Sequence, residues 1–258
     1  MMHVKPKKAL GQHFLTDKGV AARIAETALA KPYSHLPLLE IGPGTGVLTS
    51  FLLQQDRPLK VIEIDTESVA YLRQAYPDLD IIEGDFLEIR PDSVFDGEFA
   101  VIGNYPYNIS SQIFFRVLDY RERIPLVSGM LQREVAERIC APAGNRTRGI
   151  LSVLLQAWYD CEYLFTVPEH VFMPPPKVKS GVLRLTRNSR TELGCSEKRF
   201  RQVVKTAFGQ RRKTLRNSLG ALIPPGSPLR EDPIMGERPE RLSVDQFVDL
   251  AKRLFPDG

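Results

Sequence analysis

The chain is poor in cysteine. Three of its 258 residues are cysteines, Cys140, Cys161 and Cys195, far apart and odd in number. They make neither a disulfide framework nor a CxxC zinc site, and a reducing, cytoplasmic compartment is expected. Long apolar runs are missing too. No stretch approaches the roughly 18 residues a membrane helix needs, so no membrane partner is expected. The basic opening MMHVKPKKALGQHF has no apolar h-region behind it, and no secretory signal is expected there. No His/Cys/Asp cluster offers a metal site, and no internal repeat is visible. What is present is ordinary globular composition, 43% apolar and 26% charged, which excludes wholesale disorder and collagen-like repeats. The length suits one large domain, or a large one with a small companion.

The net charge of +4 hides an uneven distribution. Residues 177–216 hold thirteen Lys and Arg against two acids, a net +11, which leaves −7 for the remainder. An acidic body with a basic section suits a polyanion, nucleic acid first of all. Charge alone fits a solvated helix face equally well.

Strands and helices alternate through the first part. After a helix at 18–30 capped by Thr16-Asp17, strands are expected at 37–42, 59–65, 79–85, 98–104 and 125–132. Helices are expected at 46–55, 66–75 and 110–119. Such alternation predicts an α/β fold with a mainly parallel sheet covered on both faces. A helix at 149–159 and strands at 161–168 and 180–186 follow. Met173-Pro174-Pro175-Pro176-Lys177 between them cannot be regular. From 189 the pattern is helical, over 196–208, 211–219 and 243–254. The expected division is therefore 1–188 and a small, basic, helical domain over 189–258.

Three strand ends carry polar chemistry. Leu39-Glu40-Ile41-Gly42-Pro43-Gly44-Thr45-Gly46 is a glycine-rich strand-to-helix turn, where a ligand can approach the backbone. A dinucleotide fingerprint wants G-x-G-x-x-G; this spacing is G-x-G-x-G with Val47 next, which argues against NAD. Glu63 ends the second strand, where an acid can accept from both ribose hydroxyls. Asp85 ends the third, where a carboxylate can accept from an adenine amine with Phe86 packing nearby. A bare tight turn and surface acids are the competing account.

Asn104-Tyr105-Pro106-Tyr107 follows the fourth strand. Asn-x-Pro-aromatic suits methylation of an exocyclic amine on a planar base, whose lone pair is delocalised into the ring. The Asn104 side-chain oxygen and the Tyr105 carbonyl could hold the two amine hydrogens and expose that lone pair. Pro106 stiffens the turn, and Tyr107 offers a ring for stacking. A turn with a buried tyrosine is the plain alternative.

Together these segments resemble the bacterial small-subunit rRNA adenine N6,N6-dimethyltransferases, the KsgA/RsmA family. The resemblance runs in order through KKALGQHFL, LEIGPGTG, VIEID, GDFL, GNYPYNIS, MLQREVAERI, GILSVLLQ, VFMPPPKVKSGVLRL and RRKTLRNSL, most of the chain. It implies a Rossmann-like class I methyltransferase domain followed by a small helical domain. S-adenosyl-L-methionine is the implied methyl donor, and 16S rRNA of the small subunit or its precursor the implied partner. The implied product is N6,N6-dimethyladenosine at two adjacent adenosines of a hairpin loop near the rRNA 3′ end. The implied cofactor contacts are His13, Leu15, Gly42, Gly44, Gly46, Glu63, Asp85, Phe86 and Asn104. Asn104, Tyr105, Pro106 and Tyr107 would form the catalytic turn. Tyr107 and Phe172 would wall the target adenine, though Phe172 by its apolar neighbours reads as a core residue. Arg211, Arg212, Lys213 and Arg216 would meet rRNA phosphates. The sequence has His13 where the family more often has Asn, and Tyr105 where Leu is commoner. A monomer without metal is expected.

Three alternatives stand beside this. An Erm-type methylase of 23S rRNA shares the cofactor site and the Asn-x-Pro-aromatic turn, but the VFMPPPKVKS and RRKTLRNSL blocks look less like that branch. A non-catalytic RNA-binding assembly factor would keep the fold. An NAD-dependent dehydrogenase would need the third glycine.

Overall fold

A computed structural model describes residues 4–90, 93–210 and 212–256. The chain opens with the short β1 (Phe14–Leu15) and then α1 (Lys18–Thr27), whose N-cap Asp17 accepts from the Val20 amide. β2 (Leu38–Ile41), α2 (Thr49–Leu52), β3 (Leu59–Glu63), α3 (Thr66–Ala75), β4 (Asp80–Glu83), β5 (Ala100–Asn104), α4 (Ser110–Asp119) and β6 (Leu126–Gln132) follow. β2 is buried along its whole length, as a central parallel strand must be when both sheet faces are covered. α3 and α4 cover the residues expected of them. Asp65 caps α3, and α4 buries Ile113, Phe114 and Val117 along one stripe.

The remaining elements are α5 (Arg133–Cys140), α6 (Ile150–Gln156), β7 (Tyr159–Val167), β8 (Phe172–Met173), β9 (Ser180–Arg187), α7 (Glu197–Phe208), α8 (Leu215–Ser218) and α9 (Val244–Leu254). Seven strands form one sheet in the order β4-β3-β2-β5-β6-β9-β7. The first five of these run parallel, and β9 is antiparallel to β6. A separate two-stranded pair joins β1 to β8, with Leu15 opposite Phe172.

Several expectations need correction. The helix expected at 149–159 ends as α6 at Gln156, and Tyr159 already begins β7. The helix expected at 46–55 shortens to α2, because the glycine-rich turn consumes its first residues with left-handed backbone at Gly42, Gly44 and Gly46. The helix expected at 211–219 shortens to α8. α5 was not foreseen. It follows β6 without a spacer, so no turn residue announces it.

The described chain separates into two compact units. One runs to Ala136 and takes up again over Cys161–Arg187; the other comprises Glu137–Asp160 and the chain from Asn188 onward. A single cut at 188 therefore misassigns 137–160, which belong with the C-terminal helices. In the first unit, Ile24, Leu38, Leu52, Ile102, Leu126 and Val182 form a core around the sheet. In the second, α7 packs on α6, α8 and α9 around the buried Phe200 and Phe247.

Candidate active site

Strand order outward from β2 reverses between β2 and β5. Open α/β sheets bind ligands outside the strand ends at such a switch point. Here Ile41 pairs with Gly103, so Gly42 and Asn104 leave the sheet side by side. A cavity lies at this place. Gly42, Pro43 and Gly44 line it from β2, Glu63 and Ile64 from β3, and Asn104, Tyr105, Pro106 and Tyr107 from β5.

A strap of residues 10–15 roofs the cavity, with His13 and Leu15 in the lining. Several contacts fasten it. β1 pairs with β8, and the Thr16 amide donates to the Val171 carbonyl at 2.8 Å. Lys7 is ion-paired to Asp65, and the Gln12 amide donates to the other oxygen of Asp65 at 3.3 Å. Asp65 is buried at the head of α3, where the strap's lysine holds its carboxyl below the usual range against the opposing effect of burial.

Glu63 is only 4% exposed. One of its oxygens accepts from the Gly44 amide at 3.0 Å and the other from the Asp65 amide at 2.9 Å. Burial pushes its carboxyl above the usual value. Glu40, in the middle of β2, also lines the cavity and is 1% exposed. Thr49 donates to it at 2.7 Å, while burial, with the Glu63 charge adding, raises it to about 8. The lining thus holds two carboxyl groups and no lysine or arginine. With no cation in the lining a pyrophosphate is disfavoured, and Glu63, rather than the protonated Glu40, is the carboxyl that can face a cationic ligand. A sulfonium cofactor with an α-amino group fits it, and the glycine turn leaves the backbone bare beneath the strap.

The Asn104–Tyr107 turn is held from both sides. The Tyr105 ring lies in the core, 1% exposed, with its hydroxyl donating to the Ser128 carbonyl at 2.6 Å. Its amide donates to the Met130 carbonyl at 2.8 Å. A tyrosine is accommodated at 105 because Gly103 and Gly129 leave room for the ring; a Cβ on Gly129 would stand 2.8 Å from it. The Asn104 side-chain nitrogen donates to the His13 carbonyl at 3.1 Å. The Tyr107 hydroxyl is bonded to Ser180, and its ring lies 5.5 Å from the imidazole of His13. The His13 Nδ1 in turn meets the Pro174 carbonyl at 2.8 Å.

Of the residues singled out in the sequence, His13, Leu15, Gly42, Gly44, Glu63, Asn104, Tyr105, Pro106 and Tyr107 share this cavity. Four do not line it. Gly46 faces α3 instead, where a Cβ would stand 2.7 Å from the Tyr76 ring; its glycine serves packing. Phe172 is 2% exposed and belongs to the core. Two-residue alternation on β8 turns it inward and Met173 outward, which sets it in the core rather than in the lining of this cavity. Asp85 lies two residues beyond Glu83, the parallel neighbour of Glu63, and accepts from the Leu87 amide at 2.8 Å. Phe86 is buried beside it. Glu40, Ile64 and Gln12 were missed. An acid inside the apolar run LLEIG was the available signal for Glu40; nothing local marks the others.

The basic segment is less free than its count suggests. Arg184, Arg187 and Arg190 are paired with Glu162, Glu98 and Asp245. Arg212, Lys213 and Arg216 are exposed on the second unit, with no ion pair among the described residues; Arg211 lies outside them. Among the described residues no helix is long and apolar enough to cross a membrane, and no cluster of His, Cys, Asp or Glu could hold a metal ion.

This sheet order, with an acid-lined switch-point cavity beside an Asn-x-Pro-Tyr turn, defines a class I S-adenosylmethionine-dependent methyltransferase. Within that class the chain belongs to the ribosomal RNA adenine dimethylase family, whose pattern matches residues 3–254. It is 62% identical over 252 residues to the ribosomal RNA small subunit methyltransferase A of Parabacteroides distasonis, covering 97% of this chain and 94% of that one. The protein of that name from Phocaeicola vulgatus is 59% identical over 254 residues, covering 97% and 90%. Among solved structures, a dimethyladenosine transferase from Plasmodium falciparum shares the fold at a TM-score of 0.77 and 24% identity, covering 95% of this chain and 97% of that one. The 23S rRNA methyltransferase ErmE matches at 0.70 with 28% identity, covering 93% and 99%.

Proposed function

We propose that the protein methylates the N6 amines of two adjacent adenosines in a hairpin loop near the 3′ end of 16S rRNA, giving N6,N6-dimethyladenosine. It acts as a cytoplasmic monomer on the small subunit or its precursor, contributing to subunit biogenesis. The observation that carries this reading is the orientation of Asn104. The His13 carbonyl is an acceptor only, so it fixes the amide nitrogen and leaves the Asn104 oxygen to face the cavity. Among the described residues, no donor is aimed at the Tyr105 carbonyl beside it. Two oxygen acceptors adjoin on one rigid turn.

S-adenosylmethionine, when bound, supplies an electrophilic methyl group on a sulfonium centre. Glu63 and the Gly42–Gly44 backbone would hold it under the strap, with Asp85 and Phe86 toward the adenine end. Asn104 and the Tyr105 carbonyl take the hydrogens of the target amine and expose its lone pair, while Tyr107 stacks the base. A monomethylated amine still offers one hydrogen; a dimethylated amine offers none, and the reaction stops. Loop bases are already partly unstacked, which lowers the cost of placing one here. Arg212, Lys213 and Arg216, with Arg211, would position the rRNA by its phosphates.

Mass spectrometry of unmethylated small and large subunits, each incubated with enzyme and S-adenosylmethionine, tests the reading. Dimethyladenosine in the small-subunit RNA is expected. Label confined to large subunits would replace it with an Erm-type activity, which the lower identity to ErmE does not favour.

A further inference from the structure

A second cavity, of about 690 Å³, adjoins the first through Gly11, Gln12, His13 and Tyr107. Its size is within the ~300–1,000 Å³ usual for ligand sites. Its polarity is opposite to that of its neighbour: Lys8 and Lys177 line it, and no acid does. Neither lysine has a carboxylate partner among the described residues. Pro174, Pro175 and the half-exposed Val178 give it an apolar wall. Gln132, the last residue of β6, ends in this cavity, and its amide has no hydrogen-bond partner among the described residues.

Lysines suited to a phosphate, a flat apolar wall and an idle carboxamide match the phosphate, the ring face and the base edge of a nucleotide. The cavity opens beside Tyr107, where the reacting base is placed under the proposed function, on which this inference rests. We propose that the second cavity seats the nucleotide next to the one being methylated, and that Gln132 reads its base as adenine. A carboxamide offers an acceptor beside a donor. On its Hoogsteen edge adenine presents the complementary pair, an N6 hydrogen next to the N7 acceptor, whereas guanine shows two acceptors there and cytosine an amine with no acceptor beside it. Lys177 and Lys8 meet the connecting phosphates, and Val178 with the proline wall covers the ring face. Gln132 is thus a specificity residue that touches RNA but not the reacting atoms.

The test uses unmethylated small subunits assembled with rRNA in which only the nucleotide flanking the methylated adenosine is changed, on each side in turn. Wild-type enzyme should lose about tenfold or more in kcat/KM per target when adenine on one side becomes guanine or cytosine. Gln132→Leu should lower the rate on the adenine substrate and bring the ratio between substrates close to one. A merely structural role would lower all rates together and keep the ratio. Cofactor affinity, measured alongside, reports folding, and Gln132→Glu, which retains the shape, replaces the leucine variant if that fails to fold. An unchanged preference in either folded variant, or none in the wild type, overturns the inference. Absence of methylation on every subunit brings down the proposed function, and this inference with it.

Discussion

The side-chain nitrogen of Asn104 donates to the backbone carbonyl of His13, 3.1 Å away. One hydrogen bond thus orients the Asn104 side chain and fastens the strap over the switch-point cavity. The two roles separate by substitution. Asn104→Ala should lower methylation by at least about 100-fold, the scale seen when one preorganised polar contact is removed, with rRNA binding changed no more than about twofold. Asn104→Asp keeps the oxygen but sets a carboxylate against the His13 carbonyl, and should also weaken cofactor binding by calorimetry. Full activity in the alanine variant would refute the assignment.

Glu40 makes stability depend on pH. Its carboxyl is raised from 4.5 to about 8, chiefly by burial. Between those values the unfolded chain gives up a proton that the folded one keeps. Stability should therefore fall as pH rises through this window, by up to about 1.4 kcal/mol per pH unit, and level off above it. Below the window both states are protonated and the effect vanishes. Urea unfolding at pH 5, 6.5 and 8 should show the slope, and Glu40→Gln should flatten it. Parallel profiles for the two proteins would contradict the account.

Gly44 and Gly46 should respond differently to alanine, although both have left-handed backbone. At 46 the new methyl meets the Tyr76 ring, so stability should drop by about 1–3 kcal/mol in urea melts, with the cofactor KM of the folded protein unchanged. At 44 it meets Phe14 on the strap at 2.9 Å, and the cofactor KM should rise.

Phe172→Leu tests the removal of that residue from the base pocket. As a core change it should cost about 1–2 kcal/mol and leave the KM for RNA within about twofold. Tyr107→Ala should raise that KM about tenfold or more. The reverse pattern would restore Phe172 to the pocket.

Lys7 is the most distant anchor of the strap. Lys7→Met removes its pairing with Asp65 and Glu67, while Gln12 and Ser68 still hold Asp65. Cofactor affinity should fall several-fold, and less so at high salt, where the ion pair is already screened.

What the sequence made legible was local. The helical run over 66–75 announces α3 with its true ends, and the short strand after Pro37, apolar but for Glu40, announces β2. The Asn-x-Pro-Tyr turn could be placed at a strand end because β5 is short and apolar. Contacts between distant segments were not legible. The register of β1 on β8 decides that Phe172 points inward, and only the closed strap shows Gln12 and Ile64 at the cavity. The second unit borrows 137–160 from the middle of the chain, which no change of composition signals.

The two neighbouring cavities, one walled by carboxyl groups and the other by lysines, constrain any inhibitor intended to bridge them. Such a compound must be a zwitterion, its positive charge toward Glu63 rather than Glu40, which keeps its proton up to about pH 8, and its negative charge facing Lys8 and Lys177, with a neutral, narrow waist passing His13 and Tyr107. Reversing its polarity end for end should abolish binding without altering its shape.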